Sequence, residues 1–208
     1  MSITTEFLRR PLMTGAVAAS SQRLARAMTE GIGLEGARLV VELGPGSGVF
    51  TDAILRRLAP GARLVAIELN PTLAARLSAT RRDTRLTVVT GSATELAATV
   101  GEPVDAVVSG LPWTVMPRER RGRILDAVTH VLAPEGRFTT FAYVHAARTP
   151  PARHFAAELA CRFDRLERTS VVWRNLPPAF VHRATRPLDQ QGGLKAAGTQ
   201  GHPADSAC

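Results

Sequence analysis

Along the chain, short blocks of adjacent apolar residues alternate with stretches in which apolar residues recur three and four positions apart. Residues 38–43 are a compact leucine and valine block, which predicts a buried strand. From Gly48 to about Ala59, Phe50, Ile54, Leu55 and Leu58 fall on one side of a helix. The alternation continues with a strand over 63–68, a helix over 72–80, and strands over 85–89 and 104–109. A helix over 118–132, a strand over 137–144 and a helix over 154–160 follow. Two further strands, near 164–173 and 179–186, leave no room between them for a crossover helix. They are expected to pair antiparallel at the sheet edge, through Asn175-Leu176-Pro177-Pro178. The pattern predicts an α/β fold with a mainly parallel seven-stranded sheet and helices on both faces.

The two ends read differently. Met1 to Ala37 is expected to be a helical arm or cap. Phe7, Leu8, Leu12 and Met13 are apolar, Arg9 and Arg10 interrupt them, and Pro11 breaks the stretch. Ser20 and Ser21 are expected to cap a second helix through Leu24, Ala25, Ala27 and Met28, which Gly31 and Gly33 end. After Pro187 the chain loses its apolar period, and residues 187–208 are expected to be a disordered tail. Residues 38–186 form the expected folded domain, in keeping with a 208-residue chain.

Composition narrows the classes. No apolar run is long enough to span a bilayer, and no secretory signal is apparent. Cys161 and Cys208 lack metal-ligand spacing, so no metal is expected and a cytoplasmic location is the simplest reading. The net charge is +8, carried almost wholly by arginine, with Lys195 the only lysine. Codon usage accounts for such a bias, and so does an anionic partner, either lipid headgroups or nucleic acid.

The chemistry concentrates at strand ends. Glu42-Leu43-Gly44-Pro45-Gly46-Ser47-Gly48 joins a strand to a helix. Glycines allow a tight bend and let a ligand lie against bare backbone, and the helix start offers free N–H groups. A dinucleotide fingerprint requires G-x-G-x-x-G, whereas Gly44, Gly46 and Gly48 give G-x-G-x-G, with Val49 at the third glycine position of the other pattern. About twenty residues on, Glu68 ends the second strand, where an acidic side chain in such sheets accepts hydrogen bonds from ribose hydroxyls.

With Gly91-Ser92-Ala93 and Ser109-Gly110-Leu111-Pro112-Trp113, these residues resemble the motifs of class I methyltransferases over residues 38–186. The resemblance implies a Rossmann-like fold and S-adenosyl-L-methionine as cofactor. It assigns Glu42, Gly44, Gly46, Gly48, Glu68, Leu69, Ser92, Ala93 and Ser109 to cofactor binding. Ser92 replaces the family's usual adenine-reading Asp, so recognition there leans on the Ala93 backbone. Gly110, Leu111, Pro112 and Trp113 are assigned to the methyl acceptor; many amine-modifying relatives carry Asn or Asp where Gly110 stands.

A narrower resemblance, to bacterial phospholipid N-methyltransferases, rests on residues 7–21, on Ser109-Gly110-Leu111-Pro112 and on residues 172–179. It implies stepwise methylation of phosphatidylethanolamine, with Phe7, Leu8, Arg9 and Arg10 as membrane contacts at the inner membrane face. An ammonium acceptor must lose a proton before it attacks. His145 is the expected acceptor of that proton and Tyr143 the expected orienting group. A small-molecule methyltransferase, an RNA adenine methyltransferase and an inactive cofactor-binding protein are the alternatives. Gly110 and the lack of a basic helical domain after the sheet count against the nucleic-acid partner.

Overall fold

The computed structural model describes residues 15–188. Its helices are α1 (Gly15–Thr29), α2 (Val49–Leu55), α3 (Pro71–Thr80), α4 (Leu96–Val100), α5 (Arg118–Val131) and α6 (Pro150–Ala160). Its strands are β1 (Leu39–Leu43), β2 (Arg63–Glu68), β3 (Leu86–Thr90), β4 (Val104–Ser109), β5 (Leu132–Tyr143), β6 (Phe163–Arg168) and β7 (Ala179–Pro187). They form one sheet in the order β3-β2-β1-β4-β5-β7-β6. The first five are parallel, and β7 runs antiparallel to both of its neighbours.

All five residues of β1 are buried, because helices cover both faces of the central strand. Its side chains divide with the strand period of two. Leu39, Val41 and Leu43 enter a layer with Leu96, Ile124, Leu125, Val128, Phe155 and Leu159. Val40 enters the opposite layer, with Leu24, Met28, Ile54, Leu55 and Leu58. The chain leaves β1 toward β2 and later returns to place β4 on the other side, so the strand order reverses between β1 and β4. Ligand clefts in open α/β sheets lie beyond the strand C-termini at such a reversal.

The expected antiparallel edge pair is present, with β7 lying between β5 and β6. The structure corrects several other expectations. β6 stops at Arg168, and residues 169–178 form the loop, with an isolated bridge from Val172 to Ala179. β5 begins at Leu132, earlier than its apolar period suggested, and a register shift against β4 accommodates the extra residues. α4 was hidden in a short, weakly periodic segment. α1 starts at Gly15, so Ser20 and Ser21 lie within the helix instead of capping it. Two sheet side chains anchor its C-terminal end: Thr139 Oγ1 donates to the Met28 carbonyl at 3.0 Å, and Arg183 Nη2 donates to the Ala27 carbonyl at 3.0 Å. The predicted membrane contacts Phe7, Leu8, Arg9 and Arg10 lie outside the described residues, as does the predicted tail beyond Leu188.

Candidate active site

Three strand ends converge through backbone hydrogen bonds. Gly44 N donates to the Ile67 carbonyl at 3.0 Å, and Gly110 N donates to the Leu43 carbonyl at 2.8 Å. The ends of β1, β2 and β4 are thereby tied together. Gly44, Gly46 and Gly48 all have positive φ, at 70°, 54° and 82°, a region L side chains seldom adopt. Space adds a second constraint at two of them. A Cβ on Gly48 would approach Leu77 Cδ1 to 2.6 Å, and one on Gly44 would approach Leu111 Cδ2 to 2.9 Å. At Gly46 a Cβ would meet no protein atom within 4 Å, so this backbone faces open space.

Glu68 is 7% exposed, and its carboxylate is oriented from two sides. Gly46 N donates to Oε2 at 3.1 Å, and Asn70 N donates to Oε1 at 2.9 Å. A carboxylate offers about four lone-pair sites, so roughly two remain for further donors. Asn70 also caps α3, its side chain accepting from Thr72 N at 2.9 Å. The following residue, Leu69, is exposed. Asn70 was missed from sequence, although Asn-Pro before a helical stretch is a start signal that would have found it.

Glu42 is fully buried under the glycine turn. Thr51 Oγ1 donates to its Oε2 at 2.6 Å, while Oε1 has no partner. Burial pushes its carboxyl up to about 8, against the lowering effect of the Thr51 hydroxyl. An unpartnered, desolvated carboxyl oxygen beside open backbone fits a cationic or hydrogen-bonding ligand group. Because the folded protein holds this proton more tightly than the unfolded chain does, stability should fall as pH rises from the ordinary carboxylate range through about 8. Without ligand, the loss between about pH 6 and about pH 8 should be about 2 kcal/mol. Glu42→Gln should flatten this slope in chemical-denaturation curves; an unchanged slope would place the buried proton elsewhere.

Ser92 caps the turn that precedes α4, its Oγ lying 2.7 Å from Thr94 Oγ1 and accepting from Thr94 N at 3.3 Å. The adjacent Ala93 is buried. Ser109 is buried at the end of β4, and its Oγ accepts from Leu111 N at 3.3 Å, shaping the loop that carries Gly110, Leu111 and Pro112. Trp113 belongs to the core instead of the loop surface. It is 2% exposed and stacks on Phe155 at 5.1 Å, with Phe138 edge-on at 6.0 Å. The buried Arg121 grips Glu158 through two 2.7 Å hydrogen bonds and reaches the Trp113 carbonyl at 3.5 Å, which fixes the end of the loop from below. Trp113 therefore anchors this loop, and its ring does not line a surface an acceptor can reach.

Tyr143 and His145 stack at 5.7 Å at the end of β5. Burial raises the Tyr143 hydroxyl, so it remains a proton donor at neutral pH, while His145 is exposed. Tyr143 ends an aromatic row that sequence reading missed. Phe141 packs edge-on against Tyr143 at 5.4 Å, and Phe50 packs on Phe141 at 5.9 Å. The Phe50 ring in turn borders Gly110, 3.5 Å from where a Cβ would stand. The period of two on β5 places Phe141 and Tyr143 on one face; the helix carrying Phe50 gave no hint that it meets them.

Residues 40–136 match a family described as a methyltransferase domain. The chain is 33% identical over 183 residues to an ornithine lipid N-methyltransferase of Singulisphaera acidiphila, covering 85% of this chain and 91% of that relative. The chain is a class I S-adenosylmethionine-dependent methyltransferase. The methyltransferase also shares 35% identity over 120 residues with ribosomal RNA small subunit methyltransferase A of Kineococcus radiotolerans, but that match spans only 39% of the relative. Among solved structures, the N-methyltransferase NodS of Bradyrhizobium japonicum, in complex with S-adenosyl-L-homocysteine, aligns with a TM-score of 0.67 at 17% identity, over 90% of this chain and 100% of that one. The cofactor of the methyltransferase is S-adenosylmethionine. The open backbone at Gly46, the oriented Glu68 carboxylate and the unpartnered Glu42 oxygen suit a nucleoside carrying an amino-acid group.

Proposed function

We propose that the enzyme N-methylates the amino headgroup of a membrane lipid, such as phosphatidylethanolamine or an ornithine lipid. The observation that carries this reading is the likeness to a lipid N-methyltransferase over 85% of this chain and 91% of that relative, a longer stretch than the general methyltransferase domain at residues 40–136. The likeness to the ribosomal RNA enzymes, by contrast, covers less than half of the relative.

In this reading Glu68 accepts the ribose hydroxyls, with Leu69 against the adenine and the Ser92–Ala93 turn at its edge. Gly44, Gly46 and Gly48 give the donor's amino-acid part a bare backbone, and Glu42 lies beneath it. When bound, the cofactor supplies an electrophilic methyl on a sulfonium. Backbone carbonyls of the Ser109–Pro112 loop hold the acceptor nitrogen. The row from Phe50 to Tyr143 provides ring faces that favour an ammonium group. Tyr143 orients the amine by accepting a hydrogen bond from its N–H on the phenol oxygen, which leaves the nitrogen lone pair free to attack the methyl, and exposed His145 takes the amine's proton and passes it to water. His145→Gln is then expected to lower kcat about tenfold near neutral pH, with a smaller loss at high pH, where solvent deprotonates the amine. A pH-independent loss would instead assign His145 to packing against Tyr143.

The deciding experiment is transfer of labelled methyl from S-adenosylmethionine to liposomes containing phosphatidylethanolamine or ornithine lipid, resolved by chromatography. Label in the mono-, di- or trimethylated lipid is the expected result. No label in any aminolipid, with cofactor binding intact by calorimetry, overturns the lipid reading in favour of a soluble acceptor or RNA.

A further inference from the structure

Apolar exposure in this enzyme is lopsided. Among the described residues, five large apolar side chains are exposed: Leu69, Val115, Trp173, Leu176 and Leu188. The first four stand on loops at the C-terminal end of the parallel strands, around the site described above. Leu69 follows β2 directly and Val115 lies six residues after β4, so both belong to the loops assigned above to cofactor and acceptor. Trp173 and Leu176, 69% and 63% exposed, do not; they project from the loop between β6 and β7.

That loop is held firmly. Val172 N donates to the Ala179 carbonyl at 2.7 Å, and Asn175 N donates to the Val172 carbonyl at 3.1 Å. The Asn175 side chain, 5% exposed, donates to the Pro177 carbonyl at 2.6 Å. Val144 N donates to the Pro178 carbonyl at 2.9 Å, which ties the loop to the residue between Tyr143 and His145. A fixed loop that presents Trp and Leu outward leaves the burial energy of both side chains available to a partner surface.

Charge is lopsided in the same direction. Residues 144–154 and 169–178 contain Arg148, Arg153, Arg174, His145 and His154 and no Asp or Glu. Arg148, Arg153 and Arg174 form no ion pair among the described residues. At the opposite end of the sheet three cations are paired: Arg63 with Glu102, Arg85 with Asp83, and Arg186 with Glu135 and Asp164. These two segments beside the active site thus carry positive charge with no acidic residue of their own. Tryptophan with arginine suits a bilayer interface, where the ring rests at headgroup depth and the guanidinium meets phosphate.

We infer that the β6–β7 loop is a membrane-docking element: Trp173 and Leu176 enter an anionic bilayer surface, Arg174 and Arg148 bind its headgroup phosphates, and the active-site rim is thereby laid against the lipid. This rests on the lipid reading above and adds a contact surface distinct from residues 7–10.

The chain itself carries the probe. Its two tryptophans are buried Trp113 and exposed Trp173. With full-length protein and vesicles of phosphatidylglycerol and phosphatidylethanolamine, emission should shift to the blue, and brominated acyl chains should quench it. Trp173→Phe should abolish both signals and leave Trp113 emission unchanged. Trp173→Ala with Leu176→Ala should weaken vesicle partitioning about tenfold or more, while cofactor binding by calorimetry stays at the wild-type level. The double variant should also keep the wild-type rate on a short-chain aminolipid dispersed as monomers and lose it on vesicles. Unquenched Trp173, undiminished partitioning of the double variant, or binding of an RNA hairpin without vesicle uptake would each overturn the docking inference. Absence of methyl transfer to monomeric and vesicular lipid alike would sink the substrate reading, while Trp173 quenching would still decide docking on its own.

Discussion

Glu68→Ala is expected to weaken S-adenosylmethionine binding by about 10²–10⁴-fold, measured by calorimetry, with a melting temperature lowered by a few degrees. Two hydrogen bonds from neutral hydroxyls to a carboxylate contribute about 1.5–3 kcal/mol each when both form in a site shielded from water. Glu68 meets that condition, being almost fully buried yet retaining unused acceptor capacity. It also holds Gly46 N and Asn70 N, so the variant frees the turn that should cradle the donor. Glu68→Gln separates these contributions, because its amide oxygen can keep one of the backbone contacts. If Glu68→Ala binds the cofactor normally, the carboxylate serves only to brace the turn, and the ribose assignment fails.

Gly110→Asn would restore the residue that many amine methyltransferases carry here, yet it is expected to inactivate this one. A Cβ at Gly110 would lie 2.8 Å from the Gly44 carbonyl oxygen and 3.6 Å from the Leu43 carbonyl oxygen. Both are backbone atoms of the glycine turn, and Gly110 N is already bonded to Leu43, so neither side can yield without parting β1 from β4. Forced overpacking of this kind costs about 1–3 kcal/mol in stability, and an ångström of displacement between donor and acceptor costs about a hundredfold in rate. Turnover should therefore fall by more than about a hundredfold, with a melting temperature lowered by several degrees. Near-normal activity would mean that the loop after β4 relaxes, and that glycine is present there for reasons other than space.

Most of the strands were legible because they are compact apolar blocks set off by a change of period, whereas β6, Phe163–Arg168, shows only Phe163 and Leu166 among charged residues. β1 and β4 are nearly continuous hydrophobic runs, as strands buried on both faces must be. What escaped was information carried by partners distant in sequence. Nothing in residues 132–136 announces a strand, since β5 starts there only because β4 offers it hydrogen bonds. The place of β7 between β5 and β6 depends on which strand it finds, which local pattern does not encode. At the site, the glycine turn and Glu68 could be found from motif spacing, whereas the Glu42–Thr51 contact and the Phe50–Phe141 packing depend on α2 folding back over the strand ends. Trp113 looked like an acceptor contact because it follows Leu-Pro; its core position is set by Phe155, contributed by a helix forty residues later.

The insertion of β7 between β5 and β6 also orders the enzyme's biosynthesis. A nascent chain complete through β5 already has the five parallel strands that frame the nucleoside side of the cleft. Its β6, when made, has no neighbour until residues 179–187 emerge, because β7 supplies every one of its ladder hydrogen bonds. The same late strand buttresses Tyr143 and closes the loop bearing Trp173. Vectorial synthesis should therefore assemble the donor half first and the acceptor-facing wall last.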